Sequence, residues 1–255
     1  MGKVIAITNQ KGGVGKTTTS VNLSSCLAYE GKRTLVVDCD PQSNTTSGLG
    51  FEREDYKLSI YDCLIDPSKT RDAILKTKYN DLYLLPSSSD LSAAEIELAF
   101  EDHREQFLKK ALESVRDEFD YILIDAPPAL GMITINIMTA SDSVLIPIQC
   151  EYYALEGLSQ LMSTIRKIKK SYNKKIEIEG VLATMYDGRT NLSIQVLDEV
   201  KKYFPELVYK SIIPRNVRLS EAPSFGEPII KYDRTSKGAD AYISLAKEVI
   251  KKNGI

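Results

Sequence analysis

The octapeptide Lys11-Gly12-Gly13-Val14-Gly15-Lys16-Thr17-Thr18 constrains this chain more than any other stretch. It follows a short β-branched run at residues 4–8 and opens a helical pattern at 17–30 that stops at Gly31. Glycines between a strand and a helix let successive backbone N–H groups converge on oxygens, and the helix N-terminus adds partial positive charge, so such a loop cradles phosphate. Lys16 then bridges the β- and γ-phosphates of a nucleotide, and the Thr17 hydroxyl ligates Mg²⁺. The usual pattern G-x-x-x-x-G-K-[ST] asks for Gly at position 10, where Gln10 stands.

The rest of the chain repeats the same alternation. Apolar runs at 4–8, 34–38, 82–86, 121–125, 143–148, 178–184 and 209–213 read as strands, and most are continuous enough to be buried on both faces. Between them lie helical patterns at 17–30, 93–119 (as two helices), 155–170, 192–204 and 239–252. Strands alternating with helices predict an α/β fold with a doubly wound, mostly parallel sheet flanked by helices. No linker of Pro, Gly and Ser divides the chain and no repeat is visible, so residues 1–255 read as one domain. The least regular region is 42–78; a mobile switch and an ordinary surface excursion both fit it.

Composition removes several function classes. Hydrophobic residues make up 43% and the formal net charge is −2, which excludes a disordered chain. Cysteines at 26, 39, 63 and 150 form no C-x-x-C pair, and His103 is the one histidine, which argues against a zinc site or a disulfide scaffold. The apolar start is too short for a signal peptide, and Ala6 occupies the position where a myristoylation signal wants Ser or Thr. A reducing, cytoplasmic setting is expected.

Two further strands end in carboxylates. Leu35-Val36-Val37-Asp38-Cys39-Asp40-Pro41-Gln42 stops at Pro41, and at the C-terminal edge of a parallel sheet Asp38 and Asp40 face the ligand crevice. Tyr121-Ile122-Leu123-Ile124-Asp125 has the Walker B form, an apolar strand with one terminal Asp that holds Mg²⁺ directly or through water. Thr17, Asp40 and Asp125 are therefore the candidate Mg²⁺ ligands.

With Lys11 at the head of the loop, the chain resembles the deviant Walker A type of P-loop NTPase, in which this early lysine reaches across a dimer to the partner's nucleotide. Three more segments carry the resemblance to one branch. They are Gln149-Cys150-Glu151-Tyr152-Tyr153-Ala154-Leu155-Glu156-Gly157, Met185-Tyr186-Asp187-Gly188-Arg189-Thr190 and Ile213-Pro214-Arg215-Asn216-Val217-Arg218-Leu219-Ser220-Glu221-Ala222-Pro223-Ser224. They look like the chromosomal ParA, or Soj-type, partitioning ATPases, and the similarity runs over essentially the whole chain. One departure is Ser43, where the family often has Gly; a left-handed backbone there costs a little more.

The resemblance implies a slow ATPase using ATP and Mg²⁺. Residues 11–18 (Lys11, Gly12, Gly13, Val14, Gly15, Lys16, Thr17 and Thr18) would hold the phosphates, and Pro214 and Asn216 the adenine. Asp40 would orient the attacking water, while Lys16 in cis and Lys11 in trans offset the charge on the transferred group. It also implies an ATP-bound homodimer with Glu151 and Tyr152 at its face, and a ParB-type centromere-binding protein that accelerates turnover. Nonspecific double-stranded DNA would bind through Arg189 and Arg218, and the ATP-bound protein would sit on the nucleoid. Charge counting supports the DNA reading independently: residues 161–218 hold twelve Lys and Arg against six Asp and Glu.

Two other deviant-loop classes compete. A MinD-like membrane-associated ATPase would use an amphipathic C-terminal helix, and 239–252 carries Tyr242, Ile243, Leu245, Ala246, Val249 and Ile250 on one stripe. Packing onto the sheet explains that stripe equally, so no stable membrane association is expected. A redox ATPase would need cluster cysteines at the dimer face, for which Cys150 alone is a poor candidate.

Overall fold

A computed structural model describes all 255 residues. In chain order the elements are β1 (Lys3–Ile7), α1 (Lys16–Tyr29), β2 (Thr34–Asp38), α2 (Asn44–Gly48), α3 (Ile60–Ile65), α4 (Thr70–Ala73), β3 (Leu75–Lys76), β4 (Leu82–Leu85), α5 (Leu91–Glu97) and α6 (Phe107–Glu113). They continue with β5 (Tyr121–Asp125), α7 (Met132–Ala140), β6 (Ser143–Gln149), α8 (Ala154–Ser171), β7 (Glu177–Thr184), α9 (Asn191–Tyr203), α10 (Val217–Glu221), α11 (Ile229–Tyr232) and α12 (Lys237–Asn253). One sheet runs β3-β4-β2-β5-β1-β6-β7, parallel except for the short edge strand β3.

Strand alternation divides the core into two layers. Val4, Ala6, Leu35, Val37, Ile122 and Ile124 point to one face, while Ile5, Ile7, Val36 and Leu123 point to the other, where α1 and α12 pack. Each strand thus buries both of its sides, as the continuous apolar runs require. β1 lies between β5 and β6, so the chain winds away from it in both directions. That is the switch point at which a doubly wound sheet opens a crevice beyond its strand C-termini.

α1 is buried over most of its surface although it is rich in Ser, Thr and Asn. Its polar side chains bond back to the preceding turn: Ser20 Oγ donates to the Lys16 carbonyl at 3.0 Å, Asn22 Nδ2 to Thr18 at 2.7 Å and Ser25 Oγ to Val21 at 2.6 Å. Such back-bonding lets polar residues enter a core with their hydrogen bonds made.

The structure departs from the sequence reading in several places. Residues 209–213 run beside β7 without forming a strand: Tyr209 N–H reaches the Val181 carbonyl and Ile213 N–H the Ala183 carbonyl. Between them the N–H groups of Lys210 and Ser211 are taken by the Glu248 carboxylate of α12, at 2.8 and 3.0 Å, which interrupts any ladder. α7 was not expected; its residues MITINIMTA are apolar nearly all round and seven of the nine are buried, so no amphipathic period marks it. The irregular stretch 42–78 holds three short helices, two 3₁₀ turns and β3. The pattern at 93–119 does resolve into two helices, α5 and α6, shorter than expected and separated by 3₁₀ turns around His103 at φ 55°.

Candidate active site

The glycine-rich loop leaves the C-terminal end of β1 and enters α1 in the crevice. Asn9 anchors its start, donating Nδ2 to the Pro147 carbonyl of β6 at 2.7 Å and accepting the Lys11 N–H at 3.0 Å. Gly13 and Gly15 adopt left-handed φ values of 71° and 85°, where a side chain would be strained. Gly15 is also the N-cap of α1 and offers no side-chain cap. The first N–H groups of a 14-residue helix therefore lie without a side-chain acceptor, which suits an anion.

The two lysines of the loop go different ways. Lys16 is 7% exposed and its ammonium donates to the Lys11 carbonyl at 3.1 Å, curled over the loop it belongs to. Burial lowers its pKa, and the charges of Asp125 and Asp40 oppose that fall. Lys11 lies outward: its ammonium donates to the Tyr153 carbonyl and sits 5.5 Å from the centre of the Tyr153 ring. Its alkyl chain passes so close to Gly157 that a Cβ there would meet Cε at 2.9 Å.

Opposite the loop, three carboxylates line the strand ends. Asp38 and Asp125 are register partners on adjacent strands and both are fully buried. Asp38 accepts from Thr46 N–H at 2.8 Å, from the Thr46 hydroxyl at 2.7 Å and from Asp40 N–H at 3.1 Å. Burial, reinforced by the neighbouring Asp125 charge, pushes its pKa up to about 7. Asp125 accepts from the Thr45 hydroxyl at 2.8 Å and shares the single Ser20 hydroxyl proton, 3.0 Å away, with the Lys16 carbonyl, and the Thr17 hydroxyl also bears on it. Burial raises its pKa to about 6 against those hydroxyls and Lys16, which hold it down. Asp40 is 9% exposed, and its Oδ1 accepts the Gln42 N–H at 3.0 Å. Ser43 is left-handed at φ 54°, so a residue with a Cβ occupies the turn between Asp40 and α2.

These oxygens suit Mg²⁺ delivered with a nucleotide. The protein alone assembles no cluster of three or more metal-binding side chains. A hydroxyl and one or two carboxylates beside a phosphate cradle are what a cation that keeps its waters requires. Thr17, Asp40 and Asp125 are the groups that would hold it.

The strand ends beyond β1 form a second chamber. A cavity of about 320 Å³ is lined by Gly15, Thr18, Met185, Pro214 and Asn216, among others, so the structure brings the loop and the two adenine candidates together. Asn216 caps α10 by accepting the Leu219 N–H at 3.3 Å, and its NH₂ has no protein partner.

Arg189 and Arg218 lie on the surface and are engaged locally. Arg189 forks onto Asp187 at 2.9 and 2.7 Å, and Arg218 pairs with Glu221 at 2.9 Å and Asp233 at 3.4 Å. Exposed pairs of this kind contribute little to stability and yield readily to another anion. Tyr152 is 77% exposed beside α8. All four cysteines are buried, Cys150 included. The apolar stripe of α12 is packed against α1, and no helix is long and apolar enough to cross a membrane.

Several groups in the site carried no sequence signal of their own. Asn9, Ser20, Thr45 and Thr184 are small polar residues whose partners lie far along the chain, and Thr46 reaches back eight residues to Asp38. Position offers one hint: Asn9 directly precedes the loop, and Thr45-Thr46 follow the Asp40 turn.

Comparison with known proteins matches this geometry. The AAA domain family matches residues 2–178. The sporulation initiation inhibitor protein Soj of Bacillus subtilis is 62% identical over 249 residues, covering 98% of this chain and 98% of that one. The chromosome-partitioning ATPase Soj of Treponema pallidum is 47% identical over 254 residues, covering 100% and 99%. Cobyrinic acid a,c-diamide synthase from Mycobacterium smegmatis, solved with bound ADP and magnesium, superposes with a TM-score of 0.87 at 36% identity, covering 100% of this chain and 97% of that one. With the strand–loop–helix, the paired strand-end carboxylates and near-full-length identity in agreement, the chain belongs to the Soj/ParA family of chromosome-partitioning ATPases.

Proposed function

We propose that residues 1–255 act as one ATPase domain that binds ATP with Mg²⁺, associates into a sandwich dimer, holds DNA nonspecifically in that state and leaves it on hydrolysis. The observation that carries this reading is the divergence of the two loop lysines. Lys16 is buried over its own loop, in reach of a nucleotide bound in cis, whereas Lys11 is held at the surface on the N-terminal turn of α8. A second copy facing that surface is the destination that would use the outward lysine.

Residues 11–18 and the α1 N-terminus would bind the phosphates, and Pro214 and Asn216 the base. Mg²⁺ would neutralise phosphate charge when bound. Asp40 would orient the attacking water, while Asp38 holds the Asp40 turn and α2 together through Thr46. Lys16 in cis and Lys11 in trans would stabilise the charge that develops on the transferred group. One carboxylate without an arginine finger supports slow basal turnover. A ParB-type centromere-binding protein would accelerate it, and a cytoplasmic, nucleoid-bound ATP state would follow. The stripe that a membrane-surface ATPase would present to lipid is occupied by α1.

Size-exclusion chromatography and DNA binding with ADP, ATP and a slowly hydrolysed ATP analogue test the cycle. A Cβ at Gly12 meets nothing within 4 Å in the isolated chain. Gly12→Val should therefore still bind ATP but fail to associate where two loops approach. Asp40→Ala should associate and stay on DNA, with turnover down on the order of a hundredfold. A dimeric Gly12→Val protein would reject the sandwich. In a dimer that forms normally, replacing Arg189 and Arg218 by Ala should lower the slope of log affinity against log salt by roughly 0.9 per lost phosphate contact; an unchanged slope removes these residues from the DNA surface.

A further inference from the structure

Thr184 ends β7 between the two chambers of the site and is 2% exposed. Its hydroxyl lies 2.8 Å from the Val14 carbonyl of the glycine-rich loop and 3.0 Å from the Ile148 carbonyl of β6, sharing its one proton between them. Its methyl and Cβ stand 3.7 Å from where a side chain on Gly15 would begin, so the residue also closes that side of the loop.

The Val14 carbonyl belongs to the same planar trans peptide as the Gly15 N–H, and in such a peptide the two point in opposite directions. Drawing the carbonyl towards β6 and β7 turns the Gly15 N–H away from those strands. With Asn9 tying the head of the loop to Pro147 of β6, the loop is held at two points. The next residue, Met185, is left-handed at φ 48°, a conformation a non-glycine residue holds only where its surroundings impose it. That turn sends the chain to Tyr186, whose N–H bonds the Ile213 carbonyl and whose carbonyl accepts the Arg215 N–H, forming the wall that carries Pro214.

We propose that Thr184 is a positioning residue for the nucleotide: its hydroxyl sets the Val14–Gly15 peptide at a fixed distance from the base chamber, so that one ligand engages both. This rests on the reading of residues 11–18 as the phosphate cradle.

The test compares Thr184→Val, which keeps the shape and loses the hydroxyl, with Thr184→Ser, which keeps the hydroxyl. Binding of ATP and of inorganic triphosphate is measured by calorimetry on folded protein, alongside the melting temperature without nucleotide. Thr184→Val should bind ATP about tenfold more weakly, because the loop carbonyl must be re-ordered without its donor. Its preference for ATP over inorganic triphosphate should shrink, and Thr184→Ser should restore both to within about twofold. Thr184→Ala, which also lacks the hydroxyl, carries the same comparison if the valine variant does not fold. Wild-type ATP affinity without the hydroxyl would overturn the proposal, even if the melting temperature fell, and so would a serine variant as impaired as valine. Lys16→Ala separates the two readings: if it binds ATP normally, the phosphate-cradle reading fails whatever Thr184 does.

Discussion

The two ends of the crevice are built on opposite principles. At the phosphate end, polar side chains are dense and mutually bonded: Asp38 and Asp125 together receive hydrogen bonds from Thr46, Asp40, Ser20 and Thr45. At the base end the wall is a left-handed turn at Met185, Pro214 and one asparagine whose carbonyl oxygen caps a helix. The difference follows from the ligand each end would meet. A polyphosphate with Mg²⁺ needs fixed charges and donors whose own positions are locked, whereas a flat base needs shape and a few hydrogen bonds. Charge at one end and shape at the other should therefore fail in different ways.

The largest expected effect lies at the phosphate end. Lys16→Ala removes the buried ammonium facing the loop, and ATP affinity should fall by roughly a hundredfold or more. Calorimetry checks this, and near-normal affinity would reject residues 11–18 as the phosphate cradle. Lys11→Ala should leave affinity within a few-fold and weaken ATP-dependent association, since its ammonium lies on Tyr153 rather than over the loop. Equal loss of affinity in the two variants would erase the distinction between them.

A smaller effect is expected at the base end. Asn216→Ala should reduce discrimination between ATP and GTP by about tenfold, the scale of one hydrogen bond to a base. It should also cost about 1 kcal/mol of stability through the lost cap on α10. Competition binding separates the two consequences. Unchanged discrimination with lower stability would leave Asn216 as a cap alone.

The smallest effect is on pH dependence without nucleotide. A carboxyl near pKa 4 in the unfolded chain and about 7 in the fold, as for Asp38, keeps a proton that the unfolded chain has already lost. The raised pKa therefore contributes stability on the acid side that is lost as pH rises from about 4 through about 7. Asp125, raised to about 6, acts in the same direction over a narrower window. Asp38→Asn should flatten the fall in melting temperature between about pH 5 and pH 8 by a few degrees. An identical slope in wild type and variant would show that Asp38 is ionised in the fold throughout.

Much of the phosphate end was legible in the amino-acid sequence because it is local. The glycines, Lys16, Thr17 and the start of α1 are contiguous, and each strand-end Asp is announced by its own apolar run. The doubly wound sheet was legible for the same reason, through strands buried on both faces. Only tertiary structure decided the rest, since its partners lie far apart in the chain: Asp125 with Thr45 and Ser20, Thr184 with Val14, Lys11 with Tyr153. It also decided that Glu248 would occupy the N–H groups of residues 210 and 211 and so deny 209–213 its ladder. Periodicity records how much of an element is buried. Which distant group satisfies a buried hydrogen bond is set when the sheet closes its two layers around it.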